Sequence, residues 1–233
     1  MTLAKAESDV SCWNCRAPAA GKHFCPACGK IQPLAPGTDY FALFGLPQRL
    51  LLDEAALEQR FHELSWKLHP DNFVRAGERE RALSLDLSSE LNDAYRALRD
   101  PLRRVEYLLA RHGLRKEGQT KQQAPPELLE EVFELNESLD ELRAARRAGS
   151  NGNAAALAGL RDRLLAAEKQ FEGRLEEVDQ QLKTAAGQWD GALDSGAEEV
   201  ARQKVMERMN EILNRRSYIR NLVANVQQEL ADE

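Results

Sequence analysis

The sequence predicts an all-α protein: a helical hairpin, a C-terminal three-helix bundle and a small N-terminal metal-knuckle module. Three observations carry this expectation. Apolar residues recur at helical spacing through most of the chain. Strand-like alternation is rare, while 30 % of the residues are charged, as solvated helix faces require. All four cysteines fall in one short stretch, as two CxxC pairs. The 233 residues, 42 % of them hydrophobic, suffice for one or two packed domains. A formal net charge of −6 argues against nucleic acid as the main partner, and no apolar run approaches membrane-spanning length.

Residues 1–10 read as a flexible tail without a signal-peptide core or an Arg-rich transit pattern. That favours the bacterial cytoplasm, or the mitochondrial matrix for a mature eukaryotic chain. Residues 11–37 hold the metal module and its linker. Cys12-Trp-Asn-Cys15 and Cys25-Pro-Ala-Cys28 can set four thiolates tetrahedrally around one ion, the geometry of a structural zinc knuckle. Gly29 suits the tight turn after the second pair. Disulfides fit poorly without a secretion signal, and rubredoxin-type iron stays open beside zinc. His23 is superfluous once four thiolates are counted. Gln32-Pro-Leu-Ala-Pro-Gly37 reads as a stiff linker.

Residues 38–113 make the hairpin and a connecting helix. Asp39-Tyr-Phe-Ala-Leu-Phe-Gly-Leu-Pro47 is a short helix closed by Gly45 and stopped by Pro47. Asp53 is an N-cap candidate for the run to Leu68, whose core stripe is Leu57, Phe61, Leu64 and Leu68. Pro70 cannot continue that helix. A second stripe follows with Leu83, Leu87, Leu91, Ala94 and Leu98, so the loop between them displays His69 and Asp71 to solvent. Asp100-Pro101 opens the connecting helix, which ends at Gly113. His69-Pro70-Asp71 in this setting resembles the J-domain of DnaJ-type co-chaperones, which stimulate ATP hydrolysis by DnaK-class chaperones. The plainer alternative is a helix stop followed by an Asp turn.

Residues 114–126 read as a polar linker ending in Pro125-Pro126, and 127–233 as the bundle. Its helices are expected at about 127–147, 154–186 and 196–230, with a turn at Gly149-Ser-Asn-Gly152. On the first, Leu128, Val132, Leu135, Leu139 and Leu142 form the core stripe. Phe133 lies about 140° and Leu129 about 100° from its centre, beside Glu130, Glu134, Glu137 and Glu141. An aromatic outside the stripe among carboxylates fits a docking face. The alternative is that Phe133 packs under the linker or the hairpin.

The opening Asp-Tyr-Phe-x-Leu-Phe-Gly-Leu-Pro, the run Pro101-Leu-Arg-Arg-Val-Glu-Tyr-Leu-Leu and Glu134-Leu-Asn-Glu-Ser-Leu-Asp-Glu141 closely resemble the HscB family. These are the J-type co-chaperones of iron–sulfur cluster biogenesis. The tetracysteine module, with Phe24-Cys25-Pro-Ala-Cys28 and Ile31-Gln-Pro33, looks like the N-terminal extension of the eukaryotic members. The resemblance implies that the bundle binds an IscU-type scaffold and delivers it to an HscA/DnaK-type ATPase, whose turnover the J-domain stimulates. It puts scaffold contacts on Leu129, Phe133, Glu134, Glu137, Glu141 and Tyr218. It puts chaperone contacts on His69, Pro70, Asp71, Arg60 and Lys67.

Some positions depart from the family pattern. Glu130 stands where an apolar residue is usual, and Asn72 replaces the lysine that often follows the tripeptide. Glu58 and Glu63 dilute the basic face around Arg60 and Lys67, and Trp66 lies opposite the core stripe. A general J-protein for unfolded clients is the alternative function. No nucleophile–base pair, phosphate loop or carboxylate dyad is evident, so the chain reads as a non-enzyme. Whether the metal module touches the scaffold, the chaperone or a second copy of the chain stays open.

Overall fold

The computed structural model describes residues 11–19, 21–115, 126–147 and 154–231. The expectations for the 1–10 tail, for 116–125 of the linker and for the turn within 148–153 lie outside them. The described residues form seven α-helices: α1 (Tyr40–Leu43), α2 (Glu54–Leu68), α3 (Glu78–Arg99), α4 (Pro101–Arg111), α5 (Leu129–Arg147), α6 (Ala154–Asp194) and α7 (Glu199–Ala231). Among the described residues the only β pairing is two isolated bridges, Ser11 with Pro18 and Phe24 with Ile31. Among the described residues no helix is long and apolar enough to cross a membrane. The chain divides into two compact units, one up to Arg111 and one from His112.

In the first unit α1, α2 and α4 start where an aspartate offers an oxygen to the orphan N–H groups of the first turn, whereas α3 starts after Gly77 without a side-chain cap. Asp39 accepts from Ala42 N at 2.7 Å, and Asp53 from Ala56 N at 3.1 Å. Asp100 accepts from Leu102 N and Arg103 N, with Pro101 preset at the first helical position. Gly45 closes α1 at φ +64°, a left-handed conformation that a side chain would strain. α2 and α3 pack as a hairpin whose core unites Leu57 and Leu68 with Leu87, Leu91, Ala94 and Leu98, capped by Phe41, Leu43 and Phe44. Phe61 stacks on Tyr95 at 4.1 Å between ring centroids, and Tyr40 on Tyr107 at 4.3 Å.

The segment expected as a linker is not a free spacer. Ile31 is 0 % exposed inside the hairpin core, Gln32 is buried, and Phe24 and Leu34 pack against the same cluster. Gln32 satisfies its amide by donating to the carbonyls of Lys30 and Ile31. The metal module and the hairpin therefore share one core. Composition marked the Pro-rich stretch as stiff; only packing shows that it is docked.

In the second unit, side-chain pairs fix the register. Glu131 with Arg174 and Glu141 with Arg163 run α5 antiparallel to α6. Asp179 with Arg216 and Glu168 with Gln227 do the same for α6 and α7. α5 and α7 are thus parallel, as Glu127 with Arg215 and Arg143 with Glu229 require. The expected stripe of Leu128, Val132, Leu135, Leu139 and Leu142 is buried. The second helix continues past the expected end near residue 186 to Asp194. Gly187 and Gly191 are poor helix formers, but burial of Ala185, Ala186 and Trp189 outweighs their propensity cost of about 1 kcal/mol each. The buried face of α7 is made by Met206, Met209, Ile212, Leu213, Ile219, Leu222, Val223 and Val226.

Candidate functional site

The two CxxC segments are built alike. In the first, Cys12 N donates to Ala17 O and Arg16 N to Cys12 O; in the second, Cys25 N donates to Lys30 O and Gly29 N to Cys25 O. Each pair ends on a left-handed residue, Arg16 at φ 62° and Gly29 at φ 70°. Glycine signalled the second turn in the sequence; arginine, which rarely adopts this conformation, hid the first. Cys12 and Cys28 sulfurs lie 3.7 Å apart and Cys15 and Cys25 sulfurs 3.6 Å apart. Disulfides need about 2.05 Å, so these are free thiols. A tetrahedron of thiolates about 2.3 Å from zinc puts its sulfurs about 3.8 Å apart. All four sulfurs lie within 4.8 Å of one another, so the donor set and its spacing fit one metal ion.

The thiol protonation is shared. Burial would push the Cys12 thiol up, but N–H groups of Cys15 and Asn14 directed at its sulfur outweigh it and lower it to about 6. The N–H of Ala17 lowers Cys15, yet burial and the neighbouring sulfurs raise it to about 12. A cation at the centre would replace the remaining protons. His23 is turned away from the sulfurs. Its Nε2–H donates to Leu43 O at 2.9 Å, and burial pushes the imidazole pKa down.

The module is tied to the hairpin by polar contacts as well. Trp13 Nε1 donates to Ile31 O at 2.6 Å, and the Arg79 guanidinium lies 4.6 Å above the Trp13 ring. Lys30 pairs with Glu80 at 2.7 Å. Sequence reading missed all of these, because nothing local links residue 30 to residue 80.

The second feature is the loop between α2 and α3. His69 and Asp71 are exposed, and Pro70 opens a 3₁₀ turn to Phe73, whose ring anchors in the hairpin core. Two carbonyls at the C-terminal end of α2 find donors from outside the helix. Leu68 O accepts from Ser84 Oγ at 2.6 Å and Ser88 Oγ at 3.0 Å, and Trp66 O accepts from Asn72 at 2.6 Å. His69 Nδ1 accepts from Asp71 N at 3.3 Å. Asn72, a departure from the family pattern, is here a cap for α2. Arg60 donates to Phe44 O and Gly45 O and so pins the end of α1 against α2; Lys67 is exposed at the last turn of α2. The Trp66 side chain is exposed.

The third feature is the outer face of α5. Phe133 is 75 % exposed and Leu129 45 %, with Glu130, Glu134 and Glu137 exposed beside them. Glu141 differs, since Arg163 holds it at 2.6 Å. On the parallel helix α7, Tyr218 is half-buried, just beyond the level at which Arg215 meets Glu127.

An α2–α3 hairpin presenting His-Pro-Asp at a braced tip, joined to a helical bundle, defines a J-domain protein. The chain is 38 % identical over 156 residues to the co-chaperone protein HscB homologue of Vibrio vulnificus YJ016, covering 67 % of this chain and 85 % of that protein. A Vibrio cholerae O395 homologue is 42 % identical over 106 residues, 46 % of this chain and 62 % of the relative. Among solved structures, human co-chaperone protein HscB matches with a TM-score of 0.61 and 27 % identity, covering 96 % of this chain and 100 % of that one. No protein-family model matches the chain. The chain belongs to the HscB family of co-chaperones.

Proposed function

We propose that this co-chaperone binds an IscU-type iron–sulfur scaffold through the outer face of α5 and delivers it to an HscA/DnaK-type ATPase. His69, Pro70 and Asp71 then trigger ATP hydrolysis on that partner, with Arg60 and Lys67 flanking the contact. The observation that carries the reading is Phe133, three-quarters exposed among carboxylates on a helix whose core stripe is complete without it. A bare aromatic is costly to keep in water and is a typical interface anchor. Leu129 and Tyr218 extend the apolar patch, and Glu134 and Glu137 favour a basic partner surface. Glu141 contributes only after its pairing with Arg163 is given up.

The cysteine cluster takes zinc as a structural ion: four thiolates and a closed tetrahedron leave no position for a substrate. The chain itself performs no chemistry in this reading. Its working compartment is that of its scaffold, the bacterial cytoplasm or the mitochondrial matrix.

ATPase stimulation measured with and without scaffold tests the proposal. Full-length protein and IscU together should stimulate an HscA-class ATPase more than the sum of either alone. Equal stimulation by an unfolded polypeptide in place of IscU would support a general J-protein instead.

A further inference from the structure

Resting on the reading above, we propose that the metal module forms part of the chaperone-docking surface. The groove between the module and α2 takes a carboxylate-bearing segment of the partner ATPase. Its volume is about 680 Å³, and Lys22, Phe24, Arg60, Glu63, Leu64 and Lys67 are among its lining residues. The module side of the groove is fixed in place, because His23 is bonded to Leu43 O and Phe24 packs on the hairpin core. Phe24 and Leu64 make an apolar floor, both partly buried against that core.

The rim decides the occupant. Three cations, Lys22, Arg60 and Lys67, face one carboxylate, Glu63. The Glu63 carboxylate accepts from Gln59, and Arg60 bonds only carbonyls among the described residues. The chain as a whole is acidic, with a net charge of −6. An unneutralised basic groove on such a chain is complementary to an acidic segment. The groove is also continuous with the signalling loop. Arg60 and Lys67 are seven residues apart, about 10 Å along α2, and Lys67 stands two residues before His69. A segment lying along α2 would therefore end beside His-Pro-Asp. The module supplies Lys22 where Glu58 and Glu63 weaken the basic face of the helix itself.

The test uses the full-length, metal-loaded protein with an HscA-class ATPase. Lys22 is exposed in a loop, so charge reversal leaves the fold and the metal content intact. Lys22→Glu should raise the concentration for half-maximal stimulation about fivefold at low salt, with maximal stimulation unchanged, and Lys22→Arg should behave as the parent. The difference should shrink at high salt, because exposed charges are screened. An unchanged half-maximal concentration for Lys22→Glu overturns the proposal, provided that His69→Gln still abolishes stimulation; if neither variant has an effect, the co-chaperone reading itself fails. If Lys22→Glu changes self-association by sedimentation and leaves stimulation alone, the occupant is a second copy and the proposal is wrong.

Discussion

Lys30 Nζ lies 2.7 Å from the Glu80 carboxylate and joins the metal module to the first turn of α3, where the Glu80 side chain is only 9 % exposed. Removing the lysine strands a nearly dry carboxylate. Lys30→Ala should destabilise the hairpin unit by about 1–2 kcal/mol, less than a fully buried pair because Lys30 is 41 % exposed. A double-mutant cycle with Glu80→Ala, followed by denaturant unfolding, measures the pair directly. Additive losses would show that the two residues are not coupled.

Metal loss should reach beyond the knuckles. Ile31 is fully buried in the hairpin core and continues directly from the Cys25–Cys28 segment, so unfolding the module opens that core. Chelation or Cys25→Ser should lower the melting temperature of the hairpin unit and increase hydrogen exchange in α1 and α2, leaving the bundle protected. Ile31→Ala should cost about 2–4 kcal/mol with metal bound, as for a core isoleucine. Unchanged protection of α1 and α2 after metal removal would contradict this.

The loop between α2 and α3 is held by Ser84, Ser88 and Asn72, none of which needs the His69 side chain. His69→Gln should therefore retain full helicity and scaffold affinity while losing ATPase stimulation. Ser84→Ala leaves the Leu68 carbonyl with the longer Ser88 bond only. It should cost about 1 kcal/mol of stability and is checked by thermal unfolding.

Phe133→Ala should weaken scaffold binding by about 1–3 kcal/mol in calorimetry and change stability by under about 0.5 kcal/mol. A loss of several kcal/mol of stability with affinity retained would reassign Phe133 to the core.

Charge reversal separates the carboxylates of this face. Glu134→Lys and Glu137→Lys should slow scaffold association and alter its salt dependence, as rim charges do. Glu141→Lys should have the smaller effect on association, because Arg163 already neutralises Glu141 in the free protein. Stopped-flow rates at two ionic strengths make the comparison.

Much of what depends on near neighbours along the chain was legible in the order of residues, though not the left-handed turn at Arg16 or the Asn72 cap of α2. The cap at Asp53, the helix opening at Asp100-Pro101, the stop at Pro70, the stripes of α2, α3 and α5, and the two cysteine pairs rest on local geometry and helical period. So does the placement of Phe133 off its stripe. Packing, by contrast, made Ile31 and Leu34 part of the hairpin core and brought Lys30 to Glu80 fifty residues away. It also gave Glu141 to Arg163 and carried α6 through Gly187 and Gly191 to Asp194. Local patterns fix which face of a helix is apolar; they carry no record of what covers that face. A contact across fifty residues, or a helix end set by packing rather than propensity, exists only once the chain has closed on itself.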